Sequence, residues 1–122
     1  MKIALITGAS SGMGREYAKQ IDKMKECDEI WIVARREERL NVLKDELSTV
    51  TRVLPFDLTD GVQLGSLIEA VKSSGAEVKY LVNAAGFGKF GDYSEVSLSD
   101  IAGMIERPDR FVALDAIGVY EG

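Results

Sequence analysis

The stretch Leu5-Ile6-Thr7-Gly8-Ala9-Ser10-Ser11-Gly12-Met13-Gly14-Arg15 decides the fold. An apolar run ends in a turn with glycines at 8, 12 and 14, and an amphipathic helical stretch follows. Each glycine has a task in such a passage: a tight turn out of a strand, close approach of backbone to a diphosphate, and close packing of helix on strand. A helix that starts near Gly12 or Met13 leaves its first amide hydrogens unpaired, and its dipole adds to their pull on phosphate. Ser10 and Ser11 add hydroxyls beside them. The run lacks the Gly-Lys-Ser or Gly-Lys-Thr end of a nucleotide triphosphatase loop, so phosphoryl transfer is not indicated.

Outward from this turn, short apolar runs alternate with helical periodicity, the pattern of a parallel sheet with crossover helices. The runs 2–7, 29–34, 51–56 and 78–82 read as strands. Glu-Ile-Trp-Ile-Val-Ala, the second of them, is apolar throughout its interior, as a strand buried on both faces should be. Residues 13–25, 37–47 and 62–72 read as helices, with Leu40, Leu43 and Leu47 at spacings of three and four in the second. Thr59-Asp60 precedes the third, and Gly61 and Gly65 weaken its start. A further helix is predicted from Ser97 or Ser99 to about Glu106, ending before Pro108. Beyond Asp109 no period is clear.

A chain of 122 residues bounds the answer to one domain, able to bury roughly two-thirds of its unfolded surface. Hydrophobic residues make up 46% and charged residues 29%, the composition of a folded globular protein. A net charge of -5 gives no basic field, which argues against nucleic acid and anionic membrane as partners. With no histidine and Cys27 as the only cysteine, a disulfide framework and a metal site of thiolate and imidazole ligands are not expected. A reducing, cytoplasmic setting fits, and neither a signal peptide nor a membrane span is legible.

At the end of the second strand, about twenty residues after the glycine turn, stands Ala34-Arg35-Arg36. A carboxylate there would accept from a free ribose 2′-hydroxyl, whereas arginines favour a 2′-phosphate through charge-assisted bonds. NADP is therefore expected over NAD. The competing reading is that Arg35 and Arg36 pair with Glu37, Glu38 or Asp45 on a solvated helix. Asp57-Leu58, past the third strand, would hold an adenine through the carboxylate and pack the leucine on its ring, or Asp57 is a turn residue. Asn83-Ala84-Ala85-Gly86 follows the fourth strand, at the rim where ligands of open parallel sheets bind. Asn83 could equally tie neighbouring strands together, and both roles are compatible.

Together these residues resemble the short-chain dehydrogenase/reductase family. Thr7-Gly8-Ala9-Ser10-Ser11-Gly12-Met13-Gly14 matches its glycine motif, Ala34-Arg35-Arg36 looks like its NADP-preferring members, Asp57-Leu58 matches its adenine pocket, and Asn83-Ala84-Ala85-Gly86 is similar to its Asn-Asn-Ala-Gly motif with alanine second. The resemblance runs over 1–105, a dinucleotide-binding half-domain, and leaves 106–122 as an atypical tail. It implies an α/β, Rossmann-type doubly wound sheet, incomplete here, of about four strands in the order 3-2-1-4. It also implies hydride transfer between NADP(H) and a carbonyl or alcohol.

The family's catalytic residues do not carry over. Pro108 stands where the resemblance would place an asparagine, and no tyrosine has a lysine four residues on: Tyr17, Tyr80 and Tyr93 meet Ile21, Ala84 and Ser97. The chain alone is expected to lack the proton donor that such a reaction needs. The change of character after Ile105 suggests a truncated product or a shifted reading frame near Glu106 and Arg107, which sequencing the gene would test. Two alternatives stand beside the oxidoreductase reading: a nucleotide-sensing or scaffold module, and a nonfunctional truncated product. A fourth strand left at the sheet edge is expected to drive self-association, with Phe87, Phe90 and Phe111 contributing.

Overall fold

In the computed structural model the described residues are 1–10, 12–84, 110–114 and 119–121, the last two segments by their backbone. The chain runs β1 (Lys2–Thr7), α1 (Gly12–Met24), β2 (Glu29–Val33), α2 (Glu37–Glu46), β3 (Val50–Leu54), α3 (Gly61–Ser74), β4 (Glu77–Asn83), β5 (Arg110–Leu114) and β6 (Val119–Glu121). The strands form one sheet in the order β3-β2-β1-β4-β5-β6. The first five pair in parallel and β6 returns antiparallel to β5.

Strand alternation sorts the apolar side chains into two cores. Ala4 and Ile6 of β1 and Ile30 and Ile32 of β2 face one side, where Ala18 and Ile21 of α1 and Leu40 and Leu43 of α2 cover them. Ile3, Leu5, Trp31 and Val33 face the other, under Leu64, Leu67 and Val71 of α3. That is why β1 and β2 read as continuous apolar runs. A fully buried Ile or Leu contributes about 1.5–3 kcal/mol, so these two layers carry most of the stabilisation. In β4 the parity slips: Ile3 pairs with Val78 but Ala4 with Tyr80, so Lys79 is an extra residue in a bulge. Tyr80 and Val82 thereby join the first core, and Val78 and Leu81 the second.

The helix ends follow local chemistry. Asp60 caps α3 by accepting from Val62 N at 2.9 Å. Gly75, at φ 68°, closes the same helix in the left-handed region. β3 stops at Leu54, because Pro55 has no N–H for a ladder. Asp22, buried at the end of α1, accepts from the backbone N–H of Ser48 at 3.1 Å and of Thr49 at 2.8 Å, and from Thr49 Oγ1 at 2.7 Å. It anchors the turn between α2 and β3 to α1. Burial pushes the Asp22 carboxyl up, but the bonds from Thr49 and Ser48 outweigh it and hold it at about 2.

The order 3-2-1-4 stands within the sheet as expected. The four parallel strands expected are present, and part of the tail adds β5 and β6 beyond them. β4 is accordingly not an edge: Tyr80 to Asn83 pair with Arg110 to Ala113. The self-association expected through that edge loses its physical basis, since the backbone groups thought to be unpaired are paired within the chain. Phe87 and Phe90, and the helix expected over 97–106, lie outside the described residues, as does the Phe111 side chain.

Candidate functional site

The carboxyl ends of β1, β2, β3 and β4 share one rim, and short backbone bonds hold it together. Ala9 N donates to Val33 O at 3.2 Å, and Ala84 N to Thr7 O at 3.1 Å. The buried Thr7 hydroxyl donates to Asn83 Oδ1, so Asn83 does tie β4 to β1. Ala84 is buried beside it.

The glycine turn leaves this rim from β1. Gly8 and Gly12 lie in the left-handed region at φ 67° and 60°, where other residues carry strain. A Cβ built on Gly14 would stand 2.3 Å from Gly8 O and 3.1 Å from Ala84 Cβ, so only glycine lets α1 pack this closely. A Cβ on Gly12 would meet nothing within 4 Å among the described residues. Met13 is exposed in the first turn of α1, and Ser10 is half-buried. Ser11, Ala85 and Gly86, expected in the same site, lie outside the described residues. The first amides of α1 have no intrahelical acceptor, which leaves backbone donors at the start of the helix.

Arg35 and Arg36 follow the buried Ala34 and are both exposed. Among the described residues neither forms an ion pair, so the pairing with Glu37, Glu38 or Asp45 weighed above does not occur. Arg36 is also the N-cap of α2, with no side-chain cap bond.

Asp57 has the turn role. Its Oδ1 accepts from Thr59 N at 2.9 Å and Thr59 Oγ1 at 2.6 Å, and its carbonyl accepts from Asp60 N at 3.1 Å. The Thr59 hydroxyl first, and then its amide, hold the Asp57 carboxyl below its ordinary value, with the Arg35 charge adding to the effect. Arg35 and Asp57 follow β2 and β3, which are neighbours in the sheet. Leu58 is buried in the α3-side core beside Leu54 and Leu64. Its side chain holds α3 rather than offering an open face to a ring.

One feature is not legible from the motif alone. An open groove of about 320 Å³ lies between the glycine turn and α2, lined by Ser10, Arg15, Glu38, Arg39 and Val42. Arg15 Nη2 contacts both oxygens of Glu46, at 2.7 and 2.5 Å, and Lys19 Nζ adds a third contact at 3.0 Å. Bonds from Lys19 and Arg15 lower the Glu46 carboxyl. The sequence signal for Arg39 is its place one helical turn after Arg35 and Arg36.

Burial raises the Cys27 thiol above its ordinary value, which keeps it protonated. Among the described residues no group of three or more His, Cys, Asp or Glu side chains is placed to hold a metal ion. No helix among the described residues is long and apolar enough to cross a membrane.

The family model described as short chain dehydrogenase matches residues 2–107. An uncharacterized oxidoreductase of Staphylococcus epidermidis is 33% identical over 96 residues, covering 76% of this chain and 41% of that protein. A probable NADP-dependent dehydrogenase of Dichelobacter nodosus is 40% identical over 84 residues, covering 69% of this chain and 77% of that one. The solved short-chain dehydrogenase of Sphingobium yanoikuyae in complex with NADPH superposes with a TM-score of 0.70 at 28% identity, over 86% of this chain and 47% of that one. The chain thus spans about two fifths of the Staphylococcus relative and about half of the Sphingobium structure.

Proposed function

Because this chain belongs to the short-chain dehydrogenase family, we propose that its 122 residues are the NADP-binding portion of an oxidoreductase acting on a carbonyl or alcohol. When bound, the coenzyme supplies or accepts the hydride. The chain's own residues bind and orient it: the open side of the Gly8–Gly14 turn and the first amides of α1 take the diphosphate, with Ser10 and Ser11 beside them. Arg35 and Arg36 take the 2′-phosphate. Asp57 faces the adenine end with the oxygen that Thr59 leaves free, and Asn83, Ala84, Ala85 and Gly86 border the nicotinamide end.

The observation that carries this reading is the pair of exposed arginines at the end of β2, without ion pairs among the described residues. Guanidinium groups with free donors and no acid at the ribose position favour a phosphate over a hydroxyl. The NADP-bound reading is also supported by what the Dichelobacter and Sphingobium proteins are named for. A single cysteine, held as a thiol by burial, suits a reducing cytoplasm.

Binding without turnover is the second half of the proposal. No tyrosine in these residues precedes a lysine by four, so nothing holds a proton ready for the substrate oxygen. The same feature favours a nucleotide-sensing or scaffold role for the chain on its own. Calorimetry with NADP, NAD and 2′,5′-ADP tests the binding; equal affinity for NADP and NAD, or none for either, would overturn it. Turnover of NADPH with a carbonyl panel by the isolated chain would overturn the claim of inactivity.

A further inference from the structure

We propose that the Met13 thioether is an oxidation site set against coenzyme binding: a peroxide converts it to the sulfoxide in the coenzyme-free chain, and the sulfoxide weakens binding of the diphosphate. This step rests on the coenzyme reading above. Met13 stands in the first turn of α1 and is 47% exposed, so a peroxide reaches its sulfur. Its own amide is among those left without an intrahelical acceptor, which in that reading puts the residue at the diphosphate.

The glycines on either side fix it there. Gly12 lies at φ 60°, and a Cβ on Gly14 would stand 2.3 Å from Gly8 O, so α1 is already packed tightly on the end of β1. The helix start cannot sink further onto the sheet to make room, and an added oxygen is felt on the exposed side of the turn. In the step itself a sulfur lone pair attacks one peroxide oxygen, the O–O bond breaks and an S–O bond forms. The sulfur loses two electrons, the peroxide is reduced to water, and a proton passes from the attacked oxygen to the leaving one. The product is polar, with partial negative charge on its oxygen. Beside amides that attract anions, that oxygen competes with a phosphate and repels it.

Two other sulfurs serve as controls. Cys27 is half-buried and its thiol is kept protonated by burial, so it is a poor target for peroxide. Met24 is 44% exposed at the other end of the same helix, about 16 Å along its axis. It is as open to peroxide as Met13 and too far away to touch the diphosphate.

The test treats the full chain with dilute hydrogen peroxide, with and without saturating NADP, and follows each methionine by peptide mass mapping. Met13 sulfoxide is expected to form about fivefold more slowly with NADP present, and Met24 sulfoxide at one rate in both. After oxidation, calorimetry should show NADP and 5′-ADP weakened by the same factor, about fivefold, because both carry the diphosphate. Met24→Leu should lose affinity in the same way, whereas Met13→Leu should keep after peroxide the affinity it had before. An untreated chain that binds NADP, but whose Met13 is no better protected than Met24 or whose affinity survives full conversion of Met13, would overturn this proposal and leave the coenzyme reading standing. An untreated chain that binds neither NADP nor 5′-ADP would overturn the coenzyme reading and this one with it.

Discussion

The carbonyl oxygen of Gly8 lies 2.3 Å from the point where a Cβ on Gly14 would stand. The contact is between the end of β1 and the first turn of α1, and it is backbone on one side, so no rotamer change relieves it. Gly14→Ala must push α1 off the sheet, and with it the amides proposed to hold the diphosphate. The expected cost is about 1–3 kcal/mol of stability together with loss of coenzyme binding. Gly65→Ala is the control: its Cβ would meet nothing within 4 Å among the described residues, in the middle of α3. That variant should gain about 0.5–1 kcal/mol. Urea unfolding of the two variants checks both signs.

Removal of either arginine after β2 should act on one ligand group only. Arg35→Gln and Arg36→Gln are each expected to weaken 2′,5′-ADP by about 1.5–3 kcal/mol, the range for bonds to charged groups, and to spare 5′-ADP. Titration of both probes at two salt concentrations is the measurement. Equal losses for the two probes would mean that the arginines do not read the 2′-phosphate.

Asp22 makes stability depend on acid. Its carboxyl is at about 2 in the folded chain against an ordinary 3.8, a depressed value, so the stabilisation is fully present above the unfolded pKa. It fades as pH falls from about 4 to 2. The screened share of that shift is on the order of 1–2 kcal/mol. Asp22→Asn should lower the urea midpoint at pH 7 and flatten its fall through that window. A midpoint that drops equally in both proteins between those pH values would show that other carboxylates govern it.

The bond between Thr7 and Asn83 is buried, so breaking it leaves an amide oxygen without a donor. Thr7→Val keeps the shape and removes the hydroxyl, and should cost about 1–3 kcal/mol. Thr7→Ser keeps the donor and should cost about 1 kcal/mol, for the lost methyl. Thermal or urea unfolding that ranked serine below valine would refute this account.

Much of the fold is written locally. β1 and β2 show themselves as unbroken apolar runs because each is sandwiched between α1 and α2 on one side and α3 on the other. The turn from β1 to α1 shows itself because Gly8, Gly12 and Gly14 answer constraints within seven residues of one another. Asp60 as the cap of α3 and Pro55 as the stop of β3 are equally local. The two readings held for Asp57 could not be separated by spacing, since a carboxylate before a helix serves a turn and a ligand with the same residue type.

What the sequence determined by itself was therefore a parallel sheet opening on a glycine turn, with two arginines just after the second strand. Tertiary structure alone decided that β5 and β6 extend the sheet past β4, because backbone pairing needs no side-chain period and residues 110–114 carry none. It alone decided that Leu58 enters the core, that Glu46 takes Arg15, and that Ser10 and Arg39 line one groove. Those outcomes depend on which helices lie side by side, and that is settled by the packing of two hydrophobic layers on one sheet rather than by any neighbour in the chain.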